Sequence, residues 1–197
     1  MNPVKDYFDS IAPSWDSNQP DKNEIIRSLI DKILIKKGDS ILDLACGTGT
    51  ITGLLHEFSE SPVYGLDLSP KMIEIAKEKY KGQDWAYFEA GDFLAWKNEK
   101  KFDVIVLYNA YPHFKDPSLL SDCFYTHLNE GGKFAIVHSL GRKELDMHHA
   151  NVPHNVSRSL SSPEDEAKYF EKNFTIFKQE EGEHFYLLAG SKLSSSN

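Results

Sequence analysis

The sequence predicts an α/β fold, a mostly parallel β-sheet covered by helices on both faces and closed at one edge by an antiparallel hairpin. Three observations lead there. Extended apolar runs alternate with helical patterns from residue 40 to residue 140, as successive βαβ units do. One of those runs, FDVIVLYNA (102–110), is apolar almost throughout, as a strand buried on both faces must be. After residue 173, FTIFKQEEGEHFYLLAGSKL (174–193) reads as two strands with no helix between them, which suits a hairpin at a sheet edge.

Each element has its own signal. EIIRSLIDKILI (24–35) carries apolar residues at 25, 26, 29, 30, 33 and 34, the spacing of a helix with one buried face. KKGD stops it and SILDLA (40–45) begins a buried strand. TITGLLHEF (50–58) is helical, and PVYGLDLS (62–69) is the second strand. Ser69 as cap and Pro70 as first residue open a helix through Tyr80. DWAYFEA (84–90) and FDVIVLYNA are strands three and four. Asp116 and Pro117 open a helix to Leu128, and EGG turns into a fifth strand, KFAIVHSLG (133–141). Residues 142–156 read as irregular or a short helix, and residues 161–173 as a capped helix with Pro163 near its start. The final hairpin should turn near Glu181 and Gly182. We read residues 1–192 as one domain, with 1–37 a helical lid, 141–162 a loop or lid over an acceptor, and 193–197 a disordered tail.

Composition narrows the function. The chain has 197 residues, 40% of them hydrophobic, and a net charge of −8. Its basic stretches, KILIKK (32–37) and KEKYK (77–81), sit at the polar ends of helical patterns, so a nucleic-acid partner is disfavoured. Two cysteines give neither a disulfide framework nor metal-ligand spacing. MNPVKDYFDS has no apolar signal segment, and no run reaches the roughly 18 apolar residues of a membrane span. The expectation is a cytoplasmic monomer or homodimer with no membrane partner.

The chemistry gathers at strand ends, where open α/β sheets bind ligands. Asp43, Gly47 and Gly49 follow strand one in DLACGTG. The dinucleotide fingerprint would place a third glycine where Thr52 stands, and no phosphate-binding G-x-x-x-x-G-K-[ST] occurs. A carboxylate on this turn repels a pyrophosphate but suits an ammonium or sulfonium. Asp67, closing strand two, is placed to bind both hydroxyls of a ribose. Asp92 and Phe93, after strand three, offer an acceptor for an exocyclic amine and a ring for a purine face. An ammonium site, a ribose site and an adenine site in that order describe S-adenosylmethionine.

DLACGTG, GLDLSPKMIEIAK, AGDF, FDVIVLYNAYPHF and LNEGGKFAIVH together resemble the ordered motifs of the class I S-adenosylmethionine-dependent methyltransferases. YFDSIAPSWD (7–16) resembles the lead-in of their quinone-biosynthesis branch. The resemblance implies a Rossmann-like seven-stranded sheet ordered 3-2-1-4-5-7-6, with strand 7 antiparallel. It implies that Asp43, Gly47 and Gly49 hold the methionine end, Asp67 the ribose, and Met72, Asp92 and Phe93 the adenine, with Ala45 and Leu68 also against the cofactor. Tyr108 would line the path to the methyl group.

The implied function is methyl transfer to a small-molecule acceptor. For the acceptor side the candidates are His113, His149 and Arg142, with Tyr7 and Trp15 shielding the methyl from water. His138, His148 and His154 fall in the same region of sequence. His148 and His149 stand adjacent, about 100° apart on a helix, so we expect no metal site. Cys46 reads as a small buried residue rather than a nucleophile. Rival readings are a non-catalytic sensor of S-adenosylmethionine, a protein or nucleic-acid methyltransferase, and aminopropyl transfer. Asn109-Ala110-Tyr111-Pro112 lacks the double proline of amino-directed nucleic-acid methylases, and residues 108–114 offer no acid for an acceptor amine.

Overall fold

Seven strands form one sheet: β1 (Ile41–Leu44), β2 (Val63–Asp67), β3 (Ala86–Ala90), β4 (Phe102–Tyr108), β5 (Leu128–His138), β6 (Phe174–Gly182) and β7 (Phe185–Lys192), in the order β3-β2-β1-β4-β5-β7-β6. The computed structural model describes residues 2–18, 23–149, 153 and 155–194, with the side chains of Asn18, Asn23, His148 and His149 also outside that description. β1 pairs in parallel with β2 and β4, β2 with β3, and β4 with β5. β7 runs antiparallel to both β5 and β6. The strand order reverses between β1 and β4, so their carboxyl ends diverge and leave a crevice.

Alternation along the strands builds two cores. Leu42, Leu44, Ile105 and Leu107 face one side with Phe124, Phe134 and Phe170. Ile41, Val104 and Val106 face the other, against Ile26, Ile30 and Ile33 before β1 and Leu55 after it. All are almost fully buried, which is why β4 reads as an unbroken apolar run. Asp43, two residues beyond Ile41, shares Ile41's face by the period of two.

The helices are α1 (Pro3–Ile11), α2 (Asn23–Asp31), α3 (Thr52–Ser59), α4 (Pro70–Lys79), α5 (Pro117–His127), α6 (Arg142–His149) and α7 (Pro163–Ala167). α1, α4, α5 and α7 open alike, on a polar cap followed by proline. Ser69 Oγ accepts the Met72 N–H at 3.2 Å and Asp116 Oδ1 the Leu119 N–H at 2.9 Å. Each cap satisfies an N–H that the first turn cannot, and proline loses nothing there. Among the described residues, no helix is long and apolar enough to cross a membrane.

Some boundaries differ from those read off the sequence. The helix expected through residue 35 ends at Asp31, because Leu34 takes a left-handed φ of 63°. Ile33 stays buried in the turn that follows, so helical periodicity outlasts the helix. The last hairpin turns at Glu183 and His184, since Gly182 still pairs with Phe185. Within residues 1–37, α2 packs into the core with α3, while Val4, Phe8 and Trp15 before it line the crevice.

Candidate active site

The crevice between the ends of β1 and β4 widens into a cleft of about 190 Å³. Its floor is the β1–α3 turn. Asp43 is 1% exposed, and its Oδ2 accepts the Thr52 hydroxyl at 2.6 Å. Its Oδ1 is buried at the cleft with no hydrogen-bond partner among the described residues. Burial lifts the Asp43 carboxyl to about 7; the Thr52 hydrogen bond opposes that, and the Asp67 charge adds to it. A buried carboxylate oxygen left unpaired is costly, so this is the atom that calls for a cationic donor.

The turn itself is strained toward the left-handed region at Ala45 (φ 53°), Gly47 (φ 55°) and Gly49 (φ 77°). Ala45 and Gly47 line the cleft, and Gly49 does not. A Cβ on Gly49 would lie 2.7 Å from the Tyr80 ring. Tyr80 Oη donates to the Gly49 carbonyl at 2.8 Å and accepts the Gly53 N–H at 3.0 Å. Gly49 thus packs on Tyr80, outside the cleft lining.

Asp67 ends β2 and ties the two loops together. Its Oδ2 accepts the Gly47 N–H and its Oδ1 the Ser69 N–H, both at 2.8 Å. Burial raises its carboxyl, against the pull of those two N–H groups. Each oxygen keeps a second acceptor position. Leu68 and Met72 line the wall beside it, Met72 buried in the first turn of α4. Asp92 Oδ1 caps the short turn after β3 through the Leu94 N–H at 3.1 Å, and Phe93 is buried against Phe124 and His127. Cys46 is buried between Asp43 and Asp67. Burial first, then those two charges, pushes its thiol well up and leaves it unreactive.

The opposite wall is aromatic. Phe8 and Trp15 from the N-terminal segment face Tyr108 and His113. Phe8 meets the His113 ring edge-on at 4.9 Å and Trp15 at 5.8 Å. The segment is latched to the β1–α3 turn and to α4 and its cap by two carboxylates. Asp9 accepts the Ser69 hydroxyl at 2.5 Å, and Asp16 the Thr48 hydroxyl at 2.5 Å and the Lys79 ammonium at 2.7 Å. At the end of β4, Asn109 holds a left-handed φ of 53°. Its Oδ1 accepts the Ser139 N–H at 3.0 Å, and Ser139 Oγ lies 2.8 Å from the Tyr108 hydroxyl.

Of the fourteen residues picked from sequence, Asp43, Ala45, Gly47, Asp67, Leu68, Met72, Asp92, Phe93, Tyr108 and His113 line the cleft. Tyr7 and Arg142 do not. Helical geometry turns Tyr7 away and brings Val4 and Phe8, four residues apart, to the cleft; that spacing was the signal for Phe8. Arg142, at the start of α6, is engaged by both oxygens of Glu181 near the end of β6. His138 is buried at the end of β5 against Tyr186, off the cleft. His149, with His148, ends α6, but both side chains and all of His154 lie outside the described residues.

This geometry has counterparts among known proteins. A family profile described as a methyltransferase domain matches residues 35–185. The chain belongs to that family, the class I S-adenosylmethionine-dependent methyltransferases. Malonyl-[acyl-carrier protein] O-methyltransferase 1 of Ilyobacter polytropus is 29% identical over 177 residues, 86% of this chain and 63% of its own length. Demethylmenaquinone methyltransferase of Lactobacillus johnsonii is 28% identical over 68% of this chain and 59% of its own length. The chain therefore spans less than two thirds of these curated relatives. In fold, it is similar to the N-methyltransferase NodS of Bradyrhizobium japonicum, solved with S-adenosyl-L-homocysteine. The TM-score is 0.73 and the identity 16%, over 96% of this chain and 98% of the other.

The methyltransferase cleft fits the family's methyl donor at its most demanding point. S-adenosylmethionine carries an ammonium and a sulfonium, and among the described residues lining the cleft the buried oxygen without a partner is Asp43 Oδ1, an acceptor that becomes anionic when the carboxyl ionises.

Proposed function

We propose that this chain transfers a methyl group from S-adenosylmethionine to a small-molecule acceptor bound between the N-terminal segment and the ends of β4 and β5. The observation that carries the reading is Asp43 Oδ1, buried at the cleft floor with no partner among the described residues, opposite an aromatic wall that is latched shut. Asp43 would take the amino group, Asp67 the ribose hydroxyls, and Leu68, Met72, Asp92 and Phe93 the adenine. When bound, the donor supplies an electrophilic methyl carbon, so placement is the protein's main task. Holding two reactants in line lowers a barrier by about 7–11 kcal/mol in favourable cases.

On the acceptor side, Phe8 and Trp15 cover the cleft and keep water out. Tyr108 lines the approach, and His113 accepts the acceptor's proton, a contribution of about 10²- to 10⁴-fold. A net charge of −8 and an aromatic wall support a small molecule over a nucleic acid. The test is incorporation of label from methyl-labelled S-adenosylmethionine across a metabolite extract. A labelled product that wild type makes and Asp43→Asn does not is expected. Donor binding without transfer to any metabolite would leave the cofactor reading and overturn the small-molecule one.

A further inference from the structure

Asp43 is held at its backbone from both sides, pairing with Gly65 on β2 and with Val106 on β4. Only its side-chain torsions are left to set where the carboxylate points. The last of these, about the Cβ–Cγ bond, is broad and roughly twofold. A carboxylate with neither oxygen engaged would exchange the two across the cleft floor. One bond breaks that equivalence. The Thr52 hydroxyl donates to Oδ2 at 2.6 Å, and Oδ1 is left buried at the cleft with no partner among the described residues.

Thr52 is fully buried and opens α3. A threonine at a helix start commonly caps it by accepting a first-turn N–H. α3 is built otherwise: Ile51, at the cap position, makes no side-chain cap, and the Gly53 N–H goes to Tyr80 Oη at 3.0 Å. A hydroxyl carries one hydrogen, and Thr52 gives it back across the turn to β1. The core beside the turn is apolar, with Ile51 and Leu55 packed among Ile41 and Val63. Valine has nearly the same volume as threonine, so packing alone does not call for the hydroxyl. Residue 52 is also where the dinucleotide fingerprint places its third glycine. A glycine there would have no side chain with which to orient Asp43.

We infer that Thr52 is a positioning residue for the anchor of the methyl donor: its hydroxyl holds Asp43 Oδ2 so that Oδ1 is the atom turned to the donor's amino group. The inference rests on the proposed role of Asp43, and its test separates the two. The ionisable groups around Asp43 are Asp67 at the end of β2, Cys46 in the turn and Tyr80 from α4. Burial pushes the thiol and the phenol up, so Asp67 is the neighbour whose charge acts on Asp43. Burial raises the Asp43 carboxyl, the Thr52 bond pulls it back, and the Asp67 charge raises it further.

Thr52→Val removes the hydroxyl at nearly constant volume, and Thr52→Ser keeps it. Asp43 is titrated in the donor-free full chain carrying 13C-carboxyl aspartate, and is assigned by its absence in Asp43→Asn. Wild type should titrate at about 7. Thr52→Val should titrate higher, because a bond to the ionised form is gone, and Thr52→Ser as wild type does. Calorimetric titration of S-adenosylmethionine at pH 7.5 should show Thr52→Val binding about 3- to 10-fold more weakly than wild type, with affinity restored in Thr52→Ser. In Asp43→Asn the same valine should change affinity by less than about twofold, since Thr52 acts through the carboxylate. An unmoved Asp43 titration, wild-type affinity in folded Thr52→Val, or an equal loss in both backgrounds would overturn the inference. Should Thr52→Val fail to fold, Thr52→Ala is read against the same outcomes. Equal donor affinity in wild type and Asp43→Asn would instead overturn the anchor role and leave the titration result standing.

Discussion

The two walls of the cleft are built differently. The cofactor wall is assembled from strand ends: Asp43 is the last residue but one of β1, Asp67 closes β2 and Asp92 follows β3, and parallel pairing places those ends side by side. The acceptor wall is assembled from segments that cross over one another. Phe8 meets His113, and Arg158 meets the carbonyls of residues 112 and 114. A strand-end site inherits its geometry from backbone pairing, whereas a crossed-segment site must be braced by its own side chains. The cofactor wall therefore tolerates an unpaired carboxylate oxygen, while the acceptor wall spends a buried ion pair on holding one turn.

The largest expected effect falls on that pair, Arg158 with the buried Glu166, which braces the turn at His113. Glu166→Ala leaves Arg158 without its carboxylate and should cost about 3–5 kcal/mol of folding stability, read by denaturant unfolding. A loss below about 1 kcal/mol would mean that the acceptor wall does not depend on the pair. The same group predicts acid sensitivity. Burial works against the Glu166 charge, but the hydrogen bonds from Arg158, Tyr111 and the Ser161 N–H outweigh it and hold the carboxyl below its ordinary 4.5. With the native pKa depressed, this contribution is present above the unfolded value and is lost as pH falls through the native one. Glu166→Gln should flatten stability against pH in that acid range.

The cofactor wall titrates in the opposite sense. Asp43 is lifted from 3.8 to about 7 by burial, so the free protein should lose stability as pH rises between those values. Only the ionised form suits a cationic ligand. Donor affinity should therefore rise about tenfold per pH unit up to roughly 7 and then level off, measured by titration at several pH values. A flat profile would show that Asp43 does not meet the ligand as a charge.

A smaller effect separates the two glycines. Gly49→Ala meets the Tyr80 ring and a left-handed φ, and should cost about 1–3 kcal/mol of stability with donor affinity kept. Gly47→Ala has room for its Cβ, 3.7 Å from Trp15 Nε1, and should cost only the conformational term of about 1–2 kcal/mol. Equal stability loss in both would count against the Tyr80 account. The smallest effect is Arg142→Ala. It breaks a solvent-exposed pair with Glu181, worth about 0–1 kcal/mol, and should leave turnover unchanged.

The sequence made the cofactor wall legible because the chemistry there is local. A carboxylate at the end of an apolar run, a Ser-Pro helix start and an Asp-Phe pair can each be read within a few residues of the strand. The sheet order followed from the resemblance those motifs support. Gly49 was legible as a special position, yet not its cause, since Tyr80 lies 31 residues away. Arg142 looked free at a strand end because its partner Glu181 arrives only when β6 turns back 39 residues later. The brace around His113 joins residues 43 and 44 positions apart, and no periodicity links them. Tyr7 reads as a shield for the methyl, but the i, i+4 spacing from Val4 brings Phe8 to the cleft instead.

Calorimetric titration of S-adenosylmethionine into wild type and Asp43→Asn at pH 7.5 tests the central claim most directly. Wild type should bind saturably. Asp43→Asn should bind about 10- to 100-fold more weakly, the worth of one hydrogen bond to a charged group, while melting no lower than wild type because a buried charge has been removed. No binding to the folded wild type, or equal affinity in the two proteins, would contradict the assignment of Asp43 as the anchor of the methyl donor.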